Sequence, residues 1–160
     1  MRILVLLSCL AMTGCVGLIE RATFLPWRAG DAALVHDRAV ADGAAAWQTY
    51  QLAAVDDKLV SPLGGRSGDE PAKVPPGERA LTVLATVQRG PGKGPLEAYL
   101  PLRARLEPGA SYRLNGRVEG ARVEVWLEQV ETGRHASEPA AAPLYNYAQA
   151  TPLPVFVPLR

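Results

Sequence analysis

The sequence predicts an all-β fold, a small antiparallel β-sandwich or partial barrel, from three observations. Side-chain polarity alternates with a period of two from Trp47 onward, turn chemistry recurs at roughly ten-residue spacing, and Pro and Gly are abundant while aromatic residues are scarce. Many short extended segments joined by turns follow from that pattern, each lending one face to a shared core.

Taken in order, Asp31 to Ala46 reads two ways. Its Ala content favours helix, whereas Ala33-Leu34-Val35-His36 suits a short strand. From Gln48 to Val55 the alternation sets Tyr50, Leu52 and Ala54 on one side, and Asp56-Asp57-Lys58 supplies a polar turn. Ser61 to Pro76 is a Pro/Gly-rich loop. In Arg79 to Gln88, Leu81, Val83, Ala85 and Val87 alternate with Thr82, Leu84 and Thr86; both sides are fairly apolar, which predicts a central strand. A glycine-rich connection, Arg89 to Pro95, leads to a segment that opposes Leu96, Ala98, Leu100, Leu102, Ala104 and Leu106 to Glu97, Tyr99, Arg103 and Arg105. Pro101 has no N–H for a ladder, so this strand belongs at an edge or carries a bulge.

Glu107-Pro108-Gly109-Ala110 has the chemistry of a type II turn. Beyond it, Ser111 to Val118 opposes Tyr112, Leu114, Gly116 and Val118 to Arg113, Asn115 and Arg117. Glu119-Gly120 turns the chain into Ala121 to Val130, with Val123, Val125 and Leu127 inward and Arg122, Glu124, Trp126 and Glu128 outward. Three such strands in succession predict a meander. Glu131-Thr132-Gly133-Arg134 offers another turn, and Ala136 to Pro143 is Ala/Pro-rich and expected to resist regular structure. The tail from Ala148 to Arg160, with Pro152, Pro154 and Pro158, is expected to be extended.

Met1 to Cys15 has the organisation of a secretion signal. Arg2 precedes an apolar stretch from Ile3 to Met12, and the small residues Thr13 and Gly14 stand before Cys15. The apolar run is well short of the roughly 20 residues that a membrane-spanning helix needs. Met12-Thr13-Gly14-Cys15 resembles the lipobox of bacterial lipoproteins. Leu6-Leu7-Ser8-Cys9 has a similar look but leaves only about six apolar residues ahead of its cysteine, below the roughly 7–15 of a signal's apolar region. The plain alternative is a secretory signal with an incidental cysteine. The lipobox resemblance implies cleavage before Cys15, lipidation there with palmitate-type chains, and attachment that is effectively permanent. Val16 stands where an Asp would signal retention in the inner membrane, which implies the periplasm-facing side of the outer membrane. The resulting organisation is a signal peptide over 1–14, a lipidated tether over 15–30, a β-sandwich domain over 31–135 and a Pro/Ala-rich extended tail over 136–160.

In the folded part, three stretches resemble a layout found in small lipoproteins of Gram-negative bacteria. They are Gln51-Leu52-Ala53-Ala54-Val55-Asp56-Asp57-Lys58, then Val74-Pro75-Pro76-Gly77-Glu78-Arg79-Ala80-Leu81-Thr82-Val83, then Leu106-Glu107-Pro108-Gly109-Ala110-Ser111-Tyr112-Arg113-Leu114. That layout runs aliphatic strand, Val-Asp-Gly, long loop, Pro-Gly-His, strand, Gly-x-x-Tyr; here Asp57 stands where Gly is usual and Glu78 where His is usual. The likeness covers roughly residues 47 to 130. It implies an Ig-like or transthyretin-like sandwich and no particular activity.

Loss of Arg2 with the signal leaves sixteen basic against sixteen acidic residues, no methionine, and no cysteine except Cys15. A neutral chain lacks the basic signature of nucleic-acid binding, and neither a disulfide nor free-thiol chemistry is open to it. His36 and His135 have no ligand partners at metal-binding spacing beyond Asp37. Asp56 and Asp57 are adjacent, so their side chains diverge and share a reacting atom poorly. Ser61, Ser67, Ser111 and Ser137 lack a nucleophile elbow. Gly64 to Gly68 and Arg89 to Gly94 lack the Gly-Lys-Ser/Thr and the following helix of a phosphate loop. No enzyme, cofactor or metal is therefore expected.

Trp126 is expected on the polar face between Glu124 and Glu128, with Arg103, Arg105, Arg113 and Arg117 on the outer face of two paired strands, which makes these five the candidate partner-binding residues. Against that stand two bland readings: Trp126 covered by a terminal segment, and the arginines neutralised by Glu97, Glu124 and Glu128 in a solvated mixed-charge sheet. The functional expectation is a non-enzymatic, outer-membrane-anchored lipoprotein that binds a protein partner or serves a structural role in the envelope. A carbohydrate- or peptidoglycan-binding module using Trp126 and the arginines is the alternative.

Overall fold

The chain is described in a computed structural model over residues 31–43, 45–60 and 70–146, and there the two-residue alternation becomes ten strands in two facing sheets. The strands are β1 (Ala33–His36), β2 (Arg38–Ala41), β3 (Ala46–Val55), β4 (Lys58–Leu59), β5 (Ala72–Val74), β6 (Gly77–Arg89), β7 (Leu96–Leu106), β8 (Ser111–Glu119), β9 (Arg122–Gln129) and β10 (Ala140–Pro143). Sheet A has the order β10-β9-β8-β1-β5; sheet B has the order β2-β3-β6-β7, with β4 paired to β3. Every pairing is antiparallel except that of β1 with β8.

The core forms where the inward sets of the two sheets meet. Sheet A contributes Val35, Tyr112, Leu114, Val123, Val125 and Leu127, and sheet B contributes Tyr50, Leu52, Leu81, Val83, Leu100 and Leu102, all buried. Burial at this depth stabilises by roughly 1.5–3 kcal/mol for each large aliphatic side chain. Tyr50 of sheet B packs onto Gly116 of sheet A so closely that a Cβ there would lie 2.6 Å from the ring and 2.7 Å from the Glu124 carbonyl oxygen. Only glycine permits that approach of the two sheets.

Turn chemistry acts where it was expected. Asp56 and Asp57 both take left-handed backbone angles, the geometry of a two-residue hairpin turn, and join β3 to β4. Asp56 then anchors the neighbouring strand: its carboxylate accepts from the Ala80 N–H at 3.0 Å and from Arg79 at 2.9 Å. Gly109 has φ 71, as the third residue of a type II turn requires, and the Ala110 N–H closes the turn on the Glu107 carbonyl. The buried Tyr112 ring places its hydroxyl to accept the Glu107 N–H at 2.9 Å, which fixes that turn against the core.

Several expectations need correction. Of the two readings of the segment around Ala33, the strand holds, in β1 and β2, because β1 is paired on both sides, by β8 and β5, and β2 edges sheet B against β3. In β3 a bulge between Leu52 and Ala54 re-phases the alternation, so Val55 rejoins the core opposite Leu81. The loop from Ser61 to Pro76 contains β5, which pairs with β1. β7 to β9 do not form a meander: the Glu107 to Ala110 turn carries the chain from sheet B to sheet A, leaving β8 and β9 as a hairpin.

Ala136 to Pro143 is not irregular, and the sandwich does not stop at residue 135. β10 pairs with β9, Ser137 bridges Ala104, and Leu144 is buried in the core. A buried Ser137 hydroxyl accepts the Leu127 N–H, and the Ala136 N–H donates to the Leu127 carbonyl. Free ladder groups on β9 thus draw in a segment with little strand propensity of its own, and Pro143 falls at its end, where a missing N–H costs least. The signal peptide, the tether, the lipidation site Cys15 and the tail beyond Asn146 lie outside the described residues.

Candidate functional site

The two outer faces of the sandwich are built from the side chains the core does not take. On sheet A, cross-strand register sets Arg113 against Glu128, Asn115 against Trp126, Arg117 against Glu124 and Glu119 against Arg122. Two of these pairs are closed as ion pairs across the strands. Arg113 reaches Glu128 at 3.0 Å, and Arg117 reaches Glu124 at 2.5 Å and Glu119 at 3.3 Å. Asn115 donates to Glu128 at 3.1 Å and accepts from Arg38 at 2.5 Å, linking the rim of sheet B to this network. The Glu128 carboxyl is held below its usual range, chiefly by the Asn115 hydrogen bond and then by Arg113, with burial opposing.

Trp126 sits half-buried in the same face, stacked on His135 with ring centroids 5.2 Å apart and planes inclined by 26°. The turn after β9 returns His135 to bridge Glu128, and this brings the imidazole over the indole. His36, opposite Arg113, lies in the same cross-strand row as Glu128 and His135. The row alternates histidine, arginine, carboxylate and histidine, and among the described residues no group of three metal-ligating side chains comes together.

Sheet B presents a different outer face. Its rows read Trp47 against Gln88, Thr49 against Thr86 and Glu97, Gln51 against Leu84 and Tyr99, and Thr82 against Pro101. Glu97, on the β7 edge, is the one ionisable carboxylate or base in those rows. Trp47 is 40% exposed and Tyr99 55% exposed, with the partly exposed Leu84 beside Tyr99. Ala39 and Ala41 of β2 extend the uncharged surface beside Thr49 and Trp47. Arg103 and Arg105 point outward at the far end of β7, in register with Ala80 and Glu78, and form no ion pair among the described residues.

The five residues singled out from sequence therefore do not form one site. Arg113, Arg117 and Trp126 share the outer face of sheet A, while Arg103 and Arg105 are on the opposite side of the sandwich, because β7 and β8 belong to different sheets. Glu124 and Glu128 neutralise the sheet A arginines as the mixed-charge reading has it, and Trp126 is covered in part by His135. Trp47, Leu84 and Tyr99 were missed. Their signal is present in the sequence: Thr82, Leu84 and Thr86 make β6 apolar on both sides, but no described element covers that second side.

Asp56 is tied to the Arg79 guanidinium and the Ala80 N–H, a structural assignment that matches its turn role. The glycine-rich connection before β7 is organised by Gln88, whose amide donates to the Gly90 and Lys93 carbonyls, and it leads into a strand. The fold and its faces define a two-sheet β-sandwich with one ion-paired outer surface and one whose middle rows hold a single charged side chain, Glu97. No protein-family model, curated protein or solved structure matches the chain.

Proposed function

We propose that this protein is a lipid-anchored, non-enzymatic binding domain of the bacterial outer membrane, facing the periplasm and docking an envelope protein on the outer face of sheet B. The observation that carries the reading is the surface around Trp47, Leu84 and Tyr99, whose one charged member is Glu97 at the β7 edge, with two large aromatic side chains held out to solvent on rigid strands. Exposed aromatics on a fixed scaffold give large contact area at little entropic cost and are the usual anchors of protein interfaces. The anchor rests on the Met12-Thr13-Gly14-Cys15 resemblance to a lipobox. Arg103 and Arg105, flanking the surface, would set orientation for an acidic rim on the partner.

The test is in-cell crosslinking of the tagged full chain, with Cys15→Ala as the unanchored control. An envelope protein captured by the anchored chain and lost from a Trp47→Ser, Tyr99→Ser double variant, but retained by Trp126→Ala, is the expected result. Retention by the double variant together with loss on Trp126→Ala overturns the choice of face. Muropeptides recovered in place of protein would replace this reading with the peptidoglycan-binding alternative.

A further inference from the structure

We infer that the outer face of sheet B is the resting seat of this chain's own C-terminal segment, residues 147–160, which an incoming partner displaces. The inference deepens the proposed function, since it names what occupies the same face when no partner is bound. Its first ground is where the chain leaves the described structure. Tyr145 makes a reciprocal backbone pair with Glu97 on the open edge of β7, donating at 2.9 Å and accepting at 2.8 Å. The last described residue, Asn146, has its side chain beside Gly94, just ahead of β7, so the segment departs from the rim of sheet B at the end of the strand nearest the Gln88 and Trp47 row.

Reach is the second ground. Fourteen residues span up to roughly 45 Å when extended. The path from β7 across β6 and β3 to β2 is only three strand spacings, about 15 Å. Chemistry is the third. Residues 147–160 carry Leu153, Val155, Phe156, Val157 and Leu159 among Pro152, Pro154 and Pro158, with no acidic residue. Proline-rich extended segments dock on surfaces that offer aromatic rings between hydroxyl and indole donors, because prolines bring apolar bulk and carbonyl acceptors but no N–H to satisfy. Trp47, Tyr99, Thr49 and Thr82 offer that combination, and the sheet A face, occupied by ion pairs, does not.

Residues 136–145 already follow the same course in miniature, crossing from β9 to β7 over the side of the sandwich. A short tether also raises the effective concentration of the segment at the face to the millimolar range, so weak contacts suffice.

The experiment places a photoreactive benzophenone amino acid at Tyr99, an exposed position, in the full chain, with the same group at Arg117 on sheet A as control. In purified protein in detergent, irradiation should join position 99 to residues 147–160 within one chain, at least fivefold above the Arg117 control. A Leu153→Ser, Phe156→Ser variant should lose that product while keeping its circular dichroism. Absence of the product above control, or its formation only between two chains, overturns the inference. The same Tyr99 probe irradiated in cells tests the proposed function separately. An envelope protein joined there with no tail product in the purified chain leaves the binding face standing and removes the tail from it.

Discussion

The two outer faces of this sandwich arise from the same alternation and have opposite fates. On sheet A every outward charge on β8 finds an opposite charge directly across on β9, and Asn115 ties the set to Arg38. On sheet B the outward residues of β3 and of β6 from Ala80 to Gln88 are uncharged, with Glu97 of β7 the one charge beside them, so Trp47 and Tyr99 stand among threonines with no ion pair to organise them. Paired surface charges contribute little net stability, about 0–1 kcal/mol each, but they answer one another across the strands, even though Arg113 Nε and Trp126 Nε1 on this face are buried without a hydrogen-bond partner among the described residues. An exposed aromatic on a rigid strand keeps apolar area in reserve. The contrast is why the proposed function puts binding on the side with fewer charges, although the sequence draws the eye to arginines.

The largest effect should come from the one position that sets both faces at once. Gly116→Ala pushes a Cβ into the Tyr50 ring and the Glu124 carbonyl, so sheet separation must increase. The expected loss is about 3 kcal/mol, at the upper end for overpacking. Urea unfolding should show a lower midpoint with unchanged slope, and partner capture through sheet B should fall with the folded fraction. A neutral result would mean that the sheets are free to separate and that the faces are not held in fixed relation.

Next in size is the difference between the faces themselves. Trp47→Ser with Tyr99→Ser should lower partner capture at least tenfold, about 1.4 kcal/mol of binding. It should move the thermal midpoint only slightly, since both side chains are exposed. Trp126→Ala should do the reverse: it removes the indole stacked on His135 and costs stability while leaving capture intact. Equal loss of capture from both variants would erase the distinction between the faces.

Ser137→Ala comes third and tests the strap that closes one side of the sandwich. It strands the buried Leu127 N–H, and an orphaned buried donor costs about 1–3 kcal/mol. Hydrogen exchange at Leu127 should quicken before that at Leu114, which lies on the far strand of the same hairpin.

How much of this was legible follows from what alternation can and cannot encode. Inward sets such as Val123, Val125 and Leu127 are visible because a period of two leaves one physical reading. The left-handed angle at Asp57 explains why glycine is the usual residue there in the lipoprotein layout, and why Asp, which tolerates that region, can replace it. Sheet membership was not legible. A Pro-Gly turn between β7 and β8 is equally compatible with a hairpin and with a crossing between sheets, and the crossing separates Arg103 and Arg105 from Arg113 and Arg117. β10 was invisible for another reason: its strand character comes from open ladder groups on β9, a partner far from it in any propensity window.

The smallest expected effect concerns the charge network itself. Glu128 ionises more readily in the folded protein than in the unfolded chain, because Asn115 and then Arg113 favour its charged form. The folded state therefore binds fewer protons on this group, and its contribution is fully present above the ordinary carboxylate range. It is lost as pH falls through the lowered value. Glu128→Gln keeps the shape and removes the titration, so the stability of wild type and variant should converge as pH drops from about 5 towards 2. At neutral pH the gap should be at most about 1 kcal/mol, the range for a partly exposed pair. A gap that stays constant with pH would show that packing of the side chain, and not its charge, matters on sheet A. The two faces would then differ in polarity without differing in how they are held.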